Sequence, residues 1–244
     1  MSLLLKANME LDPRITLLST TGSTEPFVAR IELGLPEIVN ATKFDNKEKI
    51  NEAILVMGIE CLHPAFVSLQ EIRKLKPDNR QVPLVNIQKL YKDLYGYLWS
   101  AYKDRMQLIV KLLGFNIGFL FQNDLDFEKG VTSFQHQHID PQFFEMLRNE
   151  RKTWQQALAK FRNDYLDHNK LTEPEVRHYF KPQVAETMFQ NCWEAIEDIL
   201  ITLIRTGLQL EAGIDIAQIP EVERDPSFPK RFRFIIKHSA QPAK

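Results

Sequence analysis

Apolar positions recur at helical spacing along four long segments, and this rhythm organises the chain. The first segment begins after Asp45-Asn46, either of which suits a helix N-cap. It carries Ile50, Ile54, Met57, Cys61, Ala65, Leu69 and Ile72 on one face. Pro64 falls inside that stripe. It has no N–H to donate and its ring crowds a preceding carbonyl, which predicts a kink or a split after His63. The second segment runs from about Pro83 to Leu113 through Leu84, Ile87, Tyr91, Leu94, Leu98, Met106, Ile109 and Leu113. The third follows Asp140-Pro141, a cap and a first-turn proline, and carries Phe144, Leu147, Trp154, Leu158, Phe161 and Tyr165. It stops near Asp167-His168-Asn169. The fourth opens near Lys181-Pro182, carries Ala185, Phe189, Cys192, Ile196, Leu200 and Leu203, and ends at Gly207 or Gly213.

The remaining stretches lack that rhythm. Ile15–Ser19 and Phe27–Leu33 are rich in β-formers and flank the turn-rich Thr20–Pro26, which predicts a small hairpin. Arg231–Lys237 reads as one more strand, able to join that hairpin in a small sheet. Residues 121–139 show no clear period and read as a long loop, and Glu173-Pro174 reads as linker. Four helices with one apolar stripe each bury those stripes best as an antiparallel four-helix bundle. The expected fold is therefore mainly α and a single domain over 1–244. Its helical core covers about 43–212, with accessory β segments at about 13–35 and 230–238.

Composition narrows the function. The chain has 244 residues and a formal net charge of −1, so attraction to nucleic acid must come from a local basic patch. Cys61 and Cys192 sit in apolar helical patterns. They read as reduced, buried thiols, as expected of a cytoplasmic protein. Met1–Lys6 has no signal-peptide architecture. The apolar stretch Leu108–Phe121 is broken by Lys111, Gly114, Asn116 and Gly118, so no membrane span is expected. A Gly-rich phosphate loop, a Gly-x-Ser-x-Gly elbow and a Cys-x-x-Cys pair are all absent from the sequence, and no cofactor is expected.

The clearest candidate chemistry lies in Phe161–Asn169. Arg162 sits at the edge of the buried stripe, and His168 sits where the helix should end. Each has a plain structural use. An arginine stem covers apolar surface, and a terminal histidine meets the last carbonyls. On an unbroken helix a six-residue step places the two about 120° apart, so they converge only if the last turn changes its winding or a second subunit contributes a copy.

Arg162-Asn163, four residues, then His168, at the end of the third of four helices, resembles the Arg-polar-(variable)-His motif of the HEPN superfamily. That resemblance implies a helical homodimer acting as a metal-independent endoribonuclease or RNA-binding effector of toxin–antitoxin or abortive-infection type, with an antitoxin-like protein as a possible partner. It implies His168 as general base at the RNA 2′-hydroxyl, Arg162 stabilising phosphate charge, and Asn163 orienting them. Asp164 and Asp167 add negative charge beside such a site. The alternative is a non-catalytic helical module for dimerisation or protein interaction.

Two other clusters are weaker. His136, His138 and Asp140 alternate along one short segment and could share a metal ion, although three side chains there also make an ordinary polar lead-in to a helix cap. The basic strand Lys230–His238 interleaves aromatics with cations, as an RNA-contacting strand or a charged edge strand would.

Overall fold

The computed structural model describes residues 34–75, 84–135, 139–167, 172–207, 214–223 and 232–236. These residues are mainly helical. Seven helices run in the order α1 (Leu35–Asn40), α2 (Lys47–Lys74), α3 (84–112), α4 (Asp124–Gln135), α5 (141–167), α6 (Glu173–Tyr179) and α7 (Pro182–Gly207). Strands β1 (Ile214–Gln218) and β2 (Phe232–Ile236) come after them.

The first half of α2 packs on the second half of α3, and the second half of α2 on the first half of α3, so the two run antiparallel. The start of α3 meets the end of α5. Helix α7 lies against α2, α3 and the first half of α5. Every stripe residue whose side chain the structure describes is buried, except Ile87, which is half-buried and packs against the same core. Burying each large apolar side chain contributes about 1.5–3 kcal/mol, so these faces dominate the fold.

Pro64 does not split α2. The preceding residues, Gly58–Leu62, wind as one π turn, and α-helix resumes at His63. The wider turn shifts the hydrogen-bond register just where the proline cannot donate. Similar π turns occupy Ser100–Arg105 in α3, and Arg151–Gln155 and Phe161–Asp167 in α5.

Helix α3 ends at a left-handed glycine. Gly114 takes φ 87°, its N–H reaches Lys111 O at 3.1 Å, and the Phe115 N–H reaches Val110 O at 3.1 Å. This is a Schellman stop that needs a left-handed residue.

The long loop expected at 121–139 is mostly helix. Asn123 Oδ1 accepts from the Asp126 N–H at 3.0 Å, and Asp124 and Asp126 lie in the first turn. Phe127, Val131 and Phe134 form a short buried stripe. Gly130 lies so close to Phe119 that an added Cβ would sit 2.2 Å from the Phe119 Cβ. The Glu173-Pro174 linker is also helical. Glu175 Oε2 accepts from Thr172 N at 2.9 Å and Thr172 Oγ1 at 2.7 Å, closing the N-terminus of α6.

The expected C-terminal strand is present as β2, and its partner is β1. The two pair antiparallel with Ile216 opposite Phe234. The expected N-terminal hairpin lies outside the described residues.

Candidate functional site at the end of α5

Six rings converge beneath the last turn of α5. The Phe161 ring is 4.6 Å from Tyr95, 4.8 Å from Tyr179 and 5.1 Å from Tyr165. Phe180 lies 5.1 Å from Tyr91 and 5.6 Å from Tyr165. Two hydroxyls stitch this cluster to the backbone. Tyr95 Oη donates to Tyr179 O at 2.7 Å, and Tyr179 Oη donates to Ala157 O at 3.1 Å. Desolvation raises the phenol pKa of Tyr91 to about 12 and pushes Tyr95 higher still. The cluster is thus largely buried, and it fixes the α5 terminus against α3 and α6.

On that base stand the polar groups. Arg162 is half-buried and Asn163 exposed, and Arg162 Nη1 donates to Asn163 Oδ1 at 3.1 Å. Both sit on the π turn Phe161–Asp167, so the helix end is wound more widely than an α-helix. His168 lies outside the described residues. The structure thus describes two of the three proposed catalytic residues, which are neighbours in the chain.

Further cations surround the turn. Lys92 Nζ lies 4.9 Å over the Tyr165 ring. Lys160 Nζ pairs with Glu175 Oε1 at 2.5 Å. The Lys160 ammonium, with the Thr172 N–H and hydroxyl, holds the Glu175 carboxyl at about 2. Glu175 in turn raises Lys160, and Asp164 adds to that effect. Neither Lys92 nor Lys160 was singled out by the sequence. Their spacing marks them only as solvent-facing charges, and the ring and carboxylate they meet are remote in the chain.

Of the other candidates, the structure describes Asp140 and Arg233. Asp140 Oδ1 accepts from the Gln142 N–H at 2.8 Å, so its carboxylate serves as the cap of α5. His136 and His138 lie outside the described residues. Among the described residues no group of three His, Cys, Asp or Glu side chains could hold a metal ion. Within the basic strand, Arg233 Nη1 pairs with Glu223 Oε2 at 3.2 Å.

One polar centre went unrecognised in the sequence. Arg151 is buried in the first π turn of α5, donating to Leu120 O at 3.0 Å, Gln122 O at 2.6 Å and Asp124 Oδ1 at 2.9 Å. Its guanidinium carbon sits 4.6 Å over the Phe127 ring. Gln155 Nε2 adds a second bond to Leu120 O at 2.5 Å. This clamp holds the 118–124 connection onto α5 and is structural in geometry.

Cys61 and Cys192 are both buried free thiols, and burial raises the pKa of each. One described helix, α2, is long and apolar enough to cross a membrane by length and composition. Half of its most apolar window is buried against the rest of the protein. A comparison with family models finds no match, and comparisons with curated proteins and with solved structures find none either.

Proposed function

We propose that the chain is a HEPN-like RNA-acting effector, a metal-independent endoribonuclease or RNA-binding protein of defence or toxin type. In this reading α2, α3, α5 and α7 are the four helices of an antiparallel bundle, and Arg162, Asn163 and His168 act at an RNA phosphodiester. The observation that carries it is the 3.1 Å contact between Arg162 and Asn163 on a solvent-reaching turn with a rigid aromatic base.

The chemistry follows from the groups. His168 takes the proton of the RNA 2′-hydroxyl, and the 2′-oxygen bonds to the adjacent phosphorus. The bond to the 5′-oxygen breaks, and that oxygen takes a proton from water, leaving a cyclic phosphate. Arg162 meets the charge that builds on the phosphoryl oxygens, with Asn163 holding the guanidinium plane. Lys92 supplies positive charge beside the turn, while the Lys160 charge is balanced by Glu175. A second copy would contribute its own motif to a shared cleft, and an antitoxin-like protein would act by covering it. The reduced, buried thiols fit a cytoplasmic setting.

The test is incubation of the purified protein with structured RNA in excess chelator, beside Arg162→Ala and His168→Ala. Chelator-resistant cleavage with cyclic-phosphate ends, reduced at least about 100-fold in either variant, is expected. Cleavage that persists in both variants, or needs added metal, refutes the mechanism.

The second reading, a non-catalytic interaction module, is favoured by the apolar side chains that α2 turns to solvent. Leu55, Ile59 and Val67 are 45%, 57% and 44% exposed. Absence of cleavage or RNA binding, with a self-associating protein, would favour it.

A further inference from the structure

The exposed positions on the outward face of α2 are spaced symmetrically about its middle. Leu55, Ile59, His63 and Val67 are all exposed, each four residues from the next. On an unbroken α-helix the first and last of these would lie about 120° apart. The π turn at Gly58–Leu62 takes up one residue more than an α turn, which brings them to within about 20°. Extending the same face by seven residues each way reaches Glu48 before Leu55 and Lys74 after Val67, both exposed. The midpoint is Cys61, whose own side chain is buried in the core. About that midpoint Leu55 mirrors Val67, Ile59 mirrors His63, and acidic Glu48 mirrors basic Lys74.

We propose that this face is the docking surface for a second copy of the chain, with the two α2 helices antiparallel across a two-fold axis at Cys61. In that pairing Leu55 of each copy meets Val67 of the other, and the two Ile59–His63 pairs fill the centre. Glu48 and Lys74 make an ion pair at each end. The charges fit a second copy because the face is complementary to itself only when reversed. Lys74 already meets Glu71 of its own helix at 2.6 Å, yet its side chain stays 69% exposed and retains donors for another carboxylate. Three half-exposed apolar side chains per copy fall short of the roughly 800 Å² per partner of a standard stable interface, so the dimer is concentration-dependent. This contact lies on α2 and is distinct from the shared cleft of the RNA reading, so it is tested independently of that reading.

Sedimentation velocity of the full chain over a range of concentrations tests this. A monomer–dimer equilibrium is expected. Leu55→Glu, at an exposed position, sets a carboxylate against Val67 and near Glu71 of the other copy. It is expected to weaken the dimer at least about tenfold, with the melting temperature unchanged at concentrations where the protein is monomeric. Glu48→Lys is expected to weaken it about threefold, and combining it with Lys74→Glu to restore it. Arg162→Ala is expected to leave the equilibrium alone, which separates this result from the RNA reading. A protein monomeric at every concentration, a dimer unaffected by Leu55→Glu, or a dimer lost in Arg162→Ala would overturn the proposal.

Discussion

The Tyr95 hydroxyl donates to the Tyr179 carbonyl at 2.7 Å, joining α3 to α6 beneath the turn that carries Arg162. Both residues are buried, so removing the donor strands a carbonyl with no water to replace it. Tyr95→Phe is expected to cost about 1–2 kcal/mol in urea unfolding, with little change in core volume. The same burial sets an alkaline signature. Folded-state phenol pKa values at Tyr91 and Tyr95 lie above the ordinary value of 10.0, so their contribution to stability is complete below that pH and is lost above it. In an ultraviolet titration these two should ionise only well above pH 10 or as the protein unfolds.

Acid should loosen α6 first. Glu175 is held at about 2, against an ordinary 4.5, by Lys160 and Thr172. A depressed carboxylate stabilises above its unfolded pKa, and that contribution fades as pH falls from about 4.5 toward 2. Protection from hydrogen exchange across Glu173–Tyr179, taken relative to the intrinsic rate at each pH, should fall through that window, and Glu175→Gln should flatten the response. An α6 whose exchange ignores pH there would mean the Lys160 and Thr172 contacts do not hold the helix.

Arg151→Met is expected to lower stability by about 2–3 kcal/mol, since a buried guanidinium with three acceptors is replaced by an apolar stem. Arg151→Lys should recover less than half of the loss, because one ammonium cannot reproduce the planar fork across two carbonyls and a carboxylate. The midpoint of urea unfolding measures both.

Gly130→Ala should destabilise although it sits within a helix. Alanine gains about 1 kcal/mol of helix propensity, but its Cβ would sit 2.2 Å from the Phe119 Cβ, and overpacking costs about 1–3 kcal/mol. In a Phe119→Ala background, with the ring gone, the cost of Gly130→Ala should shrink relative to wild type. An equal cost in both backgrounds would show that the glycine serves something other than the ring.

The long helices were legible because their stripes are dense and their starts carry chemistry. Asp140-Pro141 predicted the cap whose carboxylate accepts from Gln142, and Pro182 opens α7. Helix α4 was obscured because Phe127, Val131 and Phe134 are spaced through Gly130, Thr132 and Ser133, which dilute the period. The Thr172–Glu175 box stood in the sequence, but Pro174 drew attention as a breaker when it occupies a first turn. Strand β1 alternates Ile214, Ile216 and Gln218 over five residues, too short to stand out before its pairing with β2 is known. Of the residues proposed for the site, the structure describes Arg162 and Asn163, which share one turn and one hydrogen bond. The sequence could not show Lys92 or Lys160, because contacts between distant segments leave no local pattern. His168 lies outside the described residues, and the proposed catalytic pair is a matter for the Arg162→Ala and His168→Ala variants.

The π turn in α2 makes the chain's tolerance of length changes depend on where they fall. Deleting one residue within Gly58–Leu62 would let the helix relax to ordinary winding while the faces on either side stay in line. Deleting one residue between Ala65 and Leu69 would instead rotate everything beyond it by about 100° and swing Leu69 and Ile72 out of the interior. A single-codon deletion inside the π turn should therefore be far less damaging than one a turn later in the same helix.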